Sequence, residues 1–241
     1  MTPGVAPVLS WSRVSAPALV IGRSGVEARL DRVAVAEDGV VVVRRTSGGG
    51  PVLWDRHLLA LDVALPRGHR LAVRDVVIAY RWLGEAIADA LRTCGVGDVE
   101  VVGVDQARAA QRRPGAARDA CFGGISPFEV TAGGRKVVGL SQARRSQGAL
   151  LQAGIPLRLD GARLGRLLGR GVDFARDLAA VAAGVEELVP GLEAAAIVAA
   201  LEQAVAERCG VRLEEDVPSA GERNAIDAVV TEGLTGTPSG A

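Results

Sequence analysis

Lysine is all but missing from this chain. Of 28 basic residues, 27 are arginines and one, Lys136, is a lysine. Histidine is nearly as scarce: His57 and His69 stand alone, too few for an imidazole-based metal centre, and no metal site is expected. The three cysteines, Cys94, Cys121 and Cys209, are odd in number and far apart. They make neither a disulfide framework nor a zinc motif, which points to a reduced, cytoplasmic protein. The formal net charge is zero, without blocks of like charge, which argues against a protein that neutralises nucleic-acid phosphates. No uninterrupted apolar run reaches the ~18 residues of a membrane span. The N-terminus lacks the charged and apolar regions of a secretory signal. Neither nucleic acid nor membrane is expected as a partner.

What is present is an Ala-, Val-, Gly- and Arg-rich chain of 241 residues, long enough for one large domain or one domain with a small appendage. Ala18 to Gly22 and Val40 to Arg44 read as short strands, as do Pro51 to Trp54 and Leu58 to Leu65. Val73 to Cys94 carries apolar residues at helical spacing and predicts a helix stopped by Gly95. Val99 to Val104 reads as a strand, and Gln106 to Arg118 as an Arg-rich loop containing Pro114-Gly115. Phe128 to Thr131, Lys136 to Ser141 and Ala149 to Leu159 read as strands, the first two joined by a Gly133-Gly134 hairpin turn. From Asp160 onward the pattern is helical, with an amphipathic helix over Leu192 to Arg208. An edge strand at Val211 to Leu213 and a helix from Ala220 to Val230 follow. Residues 231–241 read as a frayed tail. Strands early and helices late predict an α+β or mixed α/β fold, a mixed sheet with helices packed over it.

Two segments stand out. In Arg44-Arg45-Thr46-Ser47-Gly48-Gly49-Gly50-Pro51-Val52, three glycines between strands let backbone N–H groups turn toward a ligand's phosphate or carboxylate oxygens. Arg44 and Arg45 add charge there. The loop is neither a P-loop nor a dinucleotide fingerprint, since no GK[ST] and no helix follow; three glycines alone fit a plain hairpin equally well. The second is Gly133-Gly134-Arg135-Lys136-Val137-Val138-Gly139-Leu140-Ser141-Gln142. Arginine replaces lysine where charge alone matters, not where a compact ammonium must fit beside a ligand oxygen, so the one surviving lysine is a candidate site residue.

Together, Arg-Arg-x-Ser-Gly-Gly-Gly-x-Val and the later Gly-Arg-Lys-Val-Val-Gly-x-Ser-Gln resemble the lipoate–protein ligase and octanoyltransferase superfamily, relatives of the biotin ligases. The resemblance runs from about Ala18 to Leu159 and covers the opening strand Pro17 to Arg23. It implies a biotin/lipoyl-ligase-like mixed sheet flanked by helices. The catalytic domain would span 18–230, between an N-terminal segment 1–17 and the tail. It implies acylation of a lysine on lipoyl-domain proteins, with Lys136 directed at the acyl carbonyl. The glycine loop (Arg44, Arg45, Ser47, Gly48, Gly49, Gly50) and Gly139, Ser141 and Gln142 would bind the acyl donor. In the transferase branch of that family, a Cys-Phe pair like Cys121-Phe122 stands at the same separation from the lysine. There the cysteine carries the acyl group as a thioester, and a cation beside it would favour the thiolate. The ligases carry an Asn-Asp pair near this region, and this chain does not. The transferase reading takes an octanoyl group from acyl carrier protein and needs no cofactor. The ligase reading needs ATP and Mg²⁺, and a third reading is a non-catalytic acyl- or nucleotide-binding relative.

Three departures from the family pattern are visible. Trp54-Asp55 stands where the family has His-Asp, and Ala153 where it has a histidine before Gly154. His57 is a candidate substitute. The acyl-pocket segment that usually precedes the first strand is not seen in residues 1–17, which suggests truncation, a different subgroup, or supply by another chain. Arg144-Arg145 and Arg112-Arg113 would form a basic rim for an acidic carrier or lipoyl domain.

Overall fold

The computed structural model describes residues 6–12, 14–23, 30–112, 117 and 120–224. The chain divides into a unit ending at Gly210 and a second beginning at Val211.

In the first unit, strands β1 (Val8–Ser12), β5 (Leu58–Pro66), β9 (Gly148–Pro156), β8 (Arg135–Arg145), β7 (Val130–Ala132) and β6 (Val99–Val101) lie side by side in that order, all antiparallel. Residues 8–12 of the leading segment thus form the sheet's edge. A smaller sheet has the order β3 (Val41–Arg44), β2 (Ala18–Ile21), β4 (Val52–Trp54). β2 and β3 are parallel, so the chain must cross over between them. Helix α1 (Arg32–Glu37) lies on that crossover, started by the Asp31 carboxylate, which accepts from the Val33 and Ala34 amides.

Period-two alternation makes the large sheet two-faced. Leu59, Leu61, Val63 and Leu65 of β5 and Leu151, Ala153 and Ile155 of β9 join one core. Helices α2 (Arg81–Thr93) and α7 (Ala194–Cys209) pack there through Leu83, Ile87, Leu91, Ile197 and Leu201. A second cluster joins Leu19, Val52, Leu58 and Phe122 to Leu164 and Leu167 of α4 (Gly161–Leu167) and Phe174 and Leu178 of α5 (Asp173–Val181). Short helix α6 (Val185–Leu188) precedes α7. Among the described residues no helix is long and apolar enough to cross a membrane.

The helix expected from Val73 begins only at Arg81, after a 3-10 turn at Ile78–Tyr80. Asp75 takes the Val77 and Ile78 amides, and Val73, Val76 and Ile78 are solvent-exposed. A local side-chain cap wins over apolar spacing there. The segment read as a loop from Gln106 opens instead in helix α3 (Val104–Gln111), whose start is fixed by Gln106 Oε1 accepting from the Gly103 amide at 2.7 Å. Arg113, Pro114, Gly115 and Arg118 lie outside the described residues, as do residues 231–241 and the end of the helix expected at 220–230. In the second unit, Val211 to Leu213 has no strand pairing. A helical turn starts at Ala220, where Ser219 and Glu222 cap each other's amides.

One ion cluster ties α1 to α4. Asp38 lies 2.6 Å from the Arg163 guanidinium and also pairs with Arg166. Burial works against its charge, but the two arginines overcome it and hold the carboxyl below its usual 3.8. A depressed carboxylate stabilises the fold above its unfolded value, and that contribution is lost as pH falls through the folded one. Asp38→Asn is expected to cost about 1 kcal/mol at neutral pH. Urea melts should show the gap to wild type closing as pH drops below about 4; a constant gap would refute the assignment.

Candidate functional site

Site geometry starts with register. Across β5, β9 and β8, Ala60, Gly154 and Gly139 stand side by side, a strip of minimal side chains on the face away from α2 and α7. Next to it, Asp62, Gln152 and Ser141 form a polar row. Gln152 donates to Asp62 (2.8 Å) and accepts from Ser47 Oγ (2.6 Å), while Ser47 Oγ is 3.2 Å from Ser141 Oγ. The buried Ser47 thereby pins the glycine loop onto the sheet.

The loop is not a hairpin, because β3 and β4 flank β2 on opposite sides instead of pairing with each other. Arg45 curls back onto it, donating to Gly48 O (2.8 Å) and Gly50 O (3.1 Å), and Arg44 donates to Gly22 O and Arg23 O. Arg45 therefore holds carbonyls of the glycine loop, and Arg44 holds carbonyls just after β2. Among the described residues, the amides of Gly48, Gly49 and Gly50 find no acceptor. Gly49 has φ +105°, and its carbonyl comes so near Gly22 that a Cβ on Gly22 would stand 2.1 Å from it. The loop is thus clamped by its carbonyls while its N–H groups stay available, as an anion-binding nest requires.

Over the glycine strip sits the 3-10 turn Cys121–Gly123. The Cys121 amide donates to Pro51 O at 3.1 Å, joining the turn to the end of the glycine loop. A Cβ placed on Gly139 would lie 3.4 Å from Cys121 Sγ, 3.6 Å from the Phe122 ring and 3.7 Å from Lys136 Cε. These three side chains converge at that one point, and glycine is what leaves room for them.

Lys136 reaches this face because of a bulge. Val130 pairs with Val138 but Thr131 with Lys136, so Val137 is an extra residue, and parity inverts on crossing it. Simple alternation would send Lys136 and Gly139 to opposite faces. Lys136 is 3% exposed, and its ammonium meets Cys121 O (2.7 Å), Gly124 O (2.9 Å) and Glu129 Oε2 (2.7 Å), with the Phe122 ring centroid 5.4 Å away. An ammonium has three hydrogens, and here three acceptors take them. The expectation that Lys136 aims at an acyl carbonyl is therefore not what this arrangement displays; the charge is directed into the Cys121 turn. Nor does the cation stand alone beside the thiol, since the buried Glu129 carboxylate balances it.

Sequence reasoning missed Glu129. The available signal was one carboxylate among the apolar neighbours of Phe128 and Val130, close in sequence to the sole lysine. A buried acid of that kind needs a partner. Gln142, grouped above with Ser141, faces the opposite side of the sheet, where it donates to Val76 O and accepts from Arg144 at 2.9 Å. Arg144 in turn donates to Val73 O (2.7 Å), so both residues brace the loop before α2. Ala153 also faces that side, between Leu61 and Leu140 and within the α2/α7 core. His57 lies in the β4–β5 connection, its ring accepting from Arg56. Beside Lys136 and Phe122 opens a cavity of about 480 Å³ bordered by Val102, Ala110, Ile125 and Val181, with Gln106 and Glu100 among its polar lining.

Comparison with known proteins identifies the family and the fold. The Lipoyl protein ligase A/B catalytic domain family model matches residues 5–209. The chain is 34% identical to Octanoyltransferase LipM of Exiguobacterium sp. over 64% of its own length and 55% of that protein's. It thus spans about half the length of that relative. With Octanoyltransferase LipM of Kyrpidia tusciae it shares 31% identity over 95% of this chain and 85% of the other. Among solved structures, a bi-partite lipoate protein ligase from Thermoplasma acidophilum superposes with a TM-score of 0.75 at 20% identity, covering 95% of this chain and 81% of that one. Lipoate-protein ligase A bound with ATP superposes at 0.73 and 22% identity, covering 95% and 83%. The fold is theirs, and by the family match across most of its length the chain belongs to the lipoyl protein ligase A/B catalytic domain family.

Proposed function

We propose that this protein is an octanoyltransferase that loads an octanoyl group onto Cys121 and passes it to a lysine of a lipoyl-domain protein. The observation that carries this reading is the meeting of Cys121 Sγ, Phe122 and Lys136 over Gly139, beside a glycine loop whose amides find no acceptor among the described residues. The relatives named octanoyltransferases support it. Acyl carrier protein supplies the donor, a thioester. The Cys121 thiolate attacks its carbonyl carbon, the bond to the carrier's thiol breaks, and that thiol leaves with a proton. The amine of the lipoyl-domain lysine then attacks the Cys121 thioester. An amide forms, the amine loses a proton, and the Cys121 thiol is restored. No ATP or metal ion enters either step.

Each attack builds negative charge on the acyl oxygen, and preorganised amides are suited to hold it. The Gly48, Gly49 and Gly50 N–H groups have that role here. Ser47, Ser141 and Gln152 hold the loop to the sheet, and Arg45 occupies its carbonyls. The cavity bordered by Val102, Ala110, Ile125 and Val181 lies within the range of small-ligand sites, roughly 300–1,000 Å³, and takes the acyl chain.

The test is intact-mass spectrometry after incubation with octanoyl–acyl carrier protein without ATP. An octanoyl adduct is expected on wild type and none on Cys121→Ser. No adduct on wild type would refute the thioester route. A lipoyl domain octanoylated only with octanoate, ATP and Mg²⁺ would instead identify a ligase.

A further inference from the structure

Glu129 is 2% exposed, and its carboxylate is fully committed. Oε1 accepts from the Leu140 amide (3.0 Å), and Oε2 accepts from the Ser126 amide (2.7 Å) and pairs with Lys136 Nζ (2.7 Å). Two separate backbone segments thus hold the anion alongside the lysine. The fold makes further concessions to aim it inward. Phe128, immediately before it, has φ +65°, a left-handed conformation that costs a non-glycine residue on the order of 1 kcal/mol. Phe128 O then presses against α2 at Gly84, where a Cβ would stand 2.1 Å away. Beyond it, Phe128 N donates to Val102 O and Val102 N to Glu129 O, locking the inward turn to the segment after β6.

A buried ion pair is a poor source of stability, since desolvation offsets much of the attraction. Strain, a bare glycine and two anchoring amides assembled around such a pair call for another purpose. The two remaining hydrogens of Lys136 indicate it: they go to Cys121 O and Gly124 O, the carbonyls of the turn that carries the thiol. We infer that Glu129 is a positioning residue, acting through Lys136 to set where Cys121 Sγ stands above Gly139. This rests on the transferase reading for its consequence in turnover, though not for the geometry. A second consequence is electrical. Glu129 neutralises the ammonium in the turn that carries the thiol, so removing its charge leaves a bare cation there, which should raise the thiol's reactivity.

Two variants test this by two readouts. Glu129→Asp keeps the charge but is one methylene short. It should lower the rate of octanoyl-thioester formation at saturating donor by about 10²-fold, the usual effect of an ångström-scale misplacement, with KM for the donor unchanged within about twofold. Its Cys121 alkylation rate by iodoacetamide, followed by peptide mass mapping, should stay near wild type. Glu129→Gln removes the charge and should speed that alkylation several-fold at neutral pH while also slowing acyl uptake. Wild-type turnover in Glu129→Asp, or unchanged alkylation in a folded Glu129→Gln, would overturn the inference. Should Glu129→Gln fail to fold, Glu129→Asp decides alone. Should wild type take up no octanoyl group, the transferase reading falls and the Glu129→Gln alkylation rate still judges the link from Glu129 to the thiol.

Discussion

Cys121→Ala is expected to cut octanoyl transfer to a lipoyl domain by on the order of 10⁴-fold or more, the effect of deleting a covalent nucleophile whose supporting groups stay in place. The fold should barely notice. Cys121 is half-buried, and its tie to the rest of the site runs through its backbone, with the amide on Pro51 O and the carbonyl on Lys136. Losing one partly exposed sulfur costs about 1 kcal/mol or less. Turnover and melting temperature should therefore separate cleanly. The other two thiols provide the control. Burial pushes Cys94 and Cys209 up from the ordinary 9.0, with Arg70 and Arg208 only partly offsetting it at Cys209. Both sit at ends of α2 and α7, away from the glycine strip. Cys94→Ala and Cys209→Ala should keep near-normal transfer rates in a discontinuous assay with octanoyl–acyl carrier protein. Transfer surviving in Cys121→Ala would move acyl carriage off this thiol altogether.

What could be read from sequence follows the range of the forces involved. The Gly133-Gly134 turn was legible because a type I′ two-residue hairpin needs positive φ at both positions, and both glycines have it, at +55° and +77°. Strands β8 and β9 and helix α7 were legible because their periodicity is local. The start of α2 was not, because Asp75 imposes a local cap that apolar spacing does not reveal. Side-chain direction failed for a sharper reason. One extra residue, Val137, reverses parity, so the face of Lys136 could not be counted from Gly139. Ala153, read as standing in place of a site histidine, faces the α2/α7 core, on the opposite side of β9 from Gln152 and Gly154. Motifs singled out the glycine loop and the Cys121 turn. They did not show that Arg45 would occupy the loop's own carbonyls, or that Glu129 would consume the charge of Lys136, because those pairings exist only once the chain is folded.

That last pairing changes what substitution of the sole lysine would report. Lys136→Met keeps an apolar stem of similar length but leaves the Glu129 carboxylate buried without its counter-charge. Breaking a buried pair from one side typically costs about 3–5 kcal/mol. It also strands the carbonyls of Cys121 and Gly124, whose hydrogen bonds to Nζ are lost. Denaturant melts should show a loss in that range, corresponding to a drop in melting temperature of roughly 10 °C for a chain of this size. Lys136→Arg should not rescue it. Three acceptors surround one nitrogen here, and a planar guanidinium fork cannot converge its donors on one point; this gives a physical reason for one lysine among 27 arginines. Pairing Lys136→Met with Glu129→Gln removes the orphaned charge and should recover much of the stability, because a buried pair replaced on both sides is far cheaper than one broken on one side. The double variant should nevertheless transfer no octanoyl group, since the Cys121 turn then loses the ammonium that holds two of its carbonyls over Gly139. A Lys136→Met protein as stable as wild type would refute the buried pair. A double variant that regained activity along with stability would show that the pair serves the fold alone.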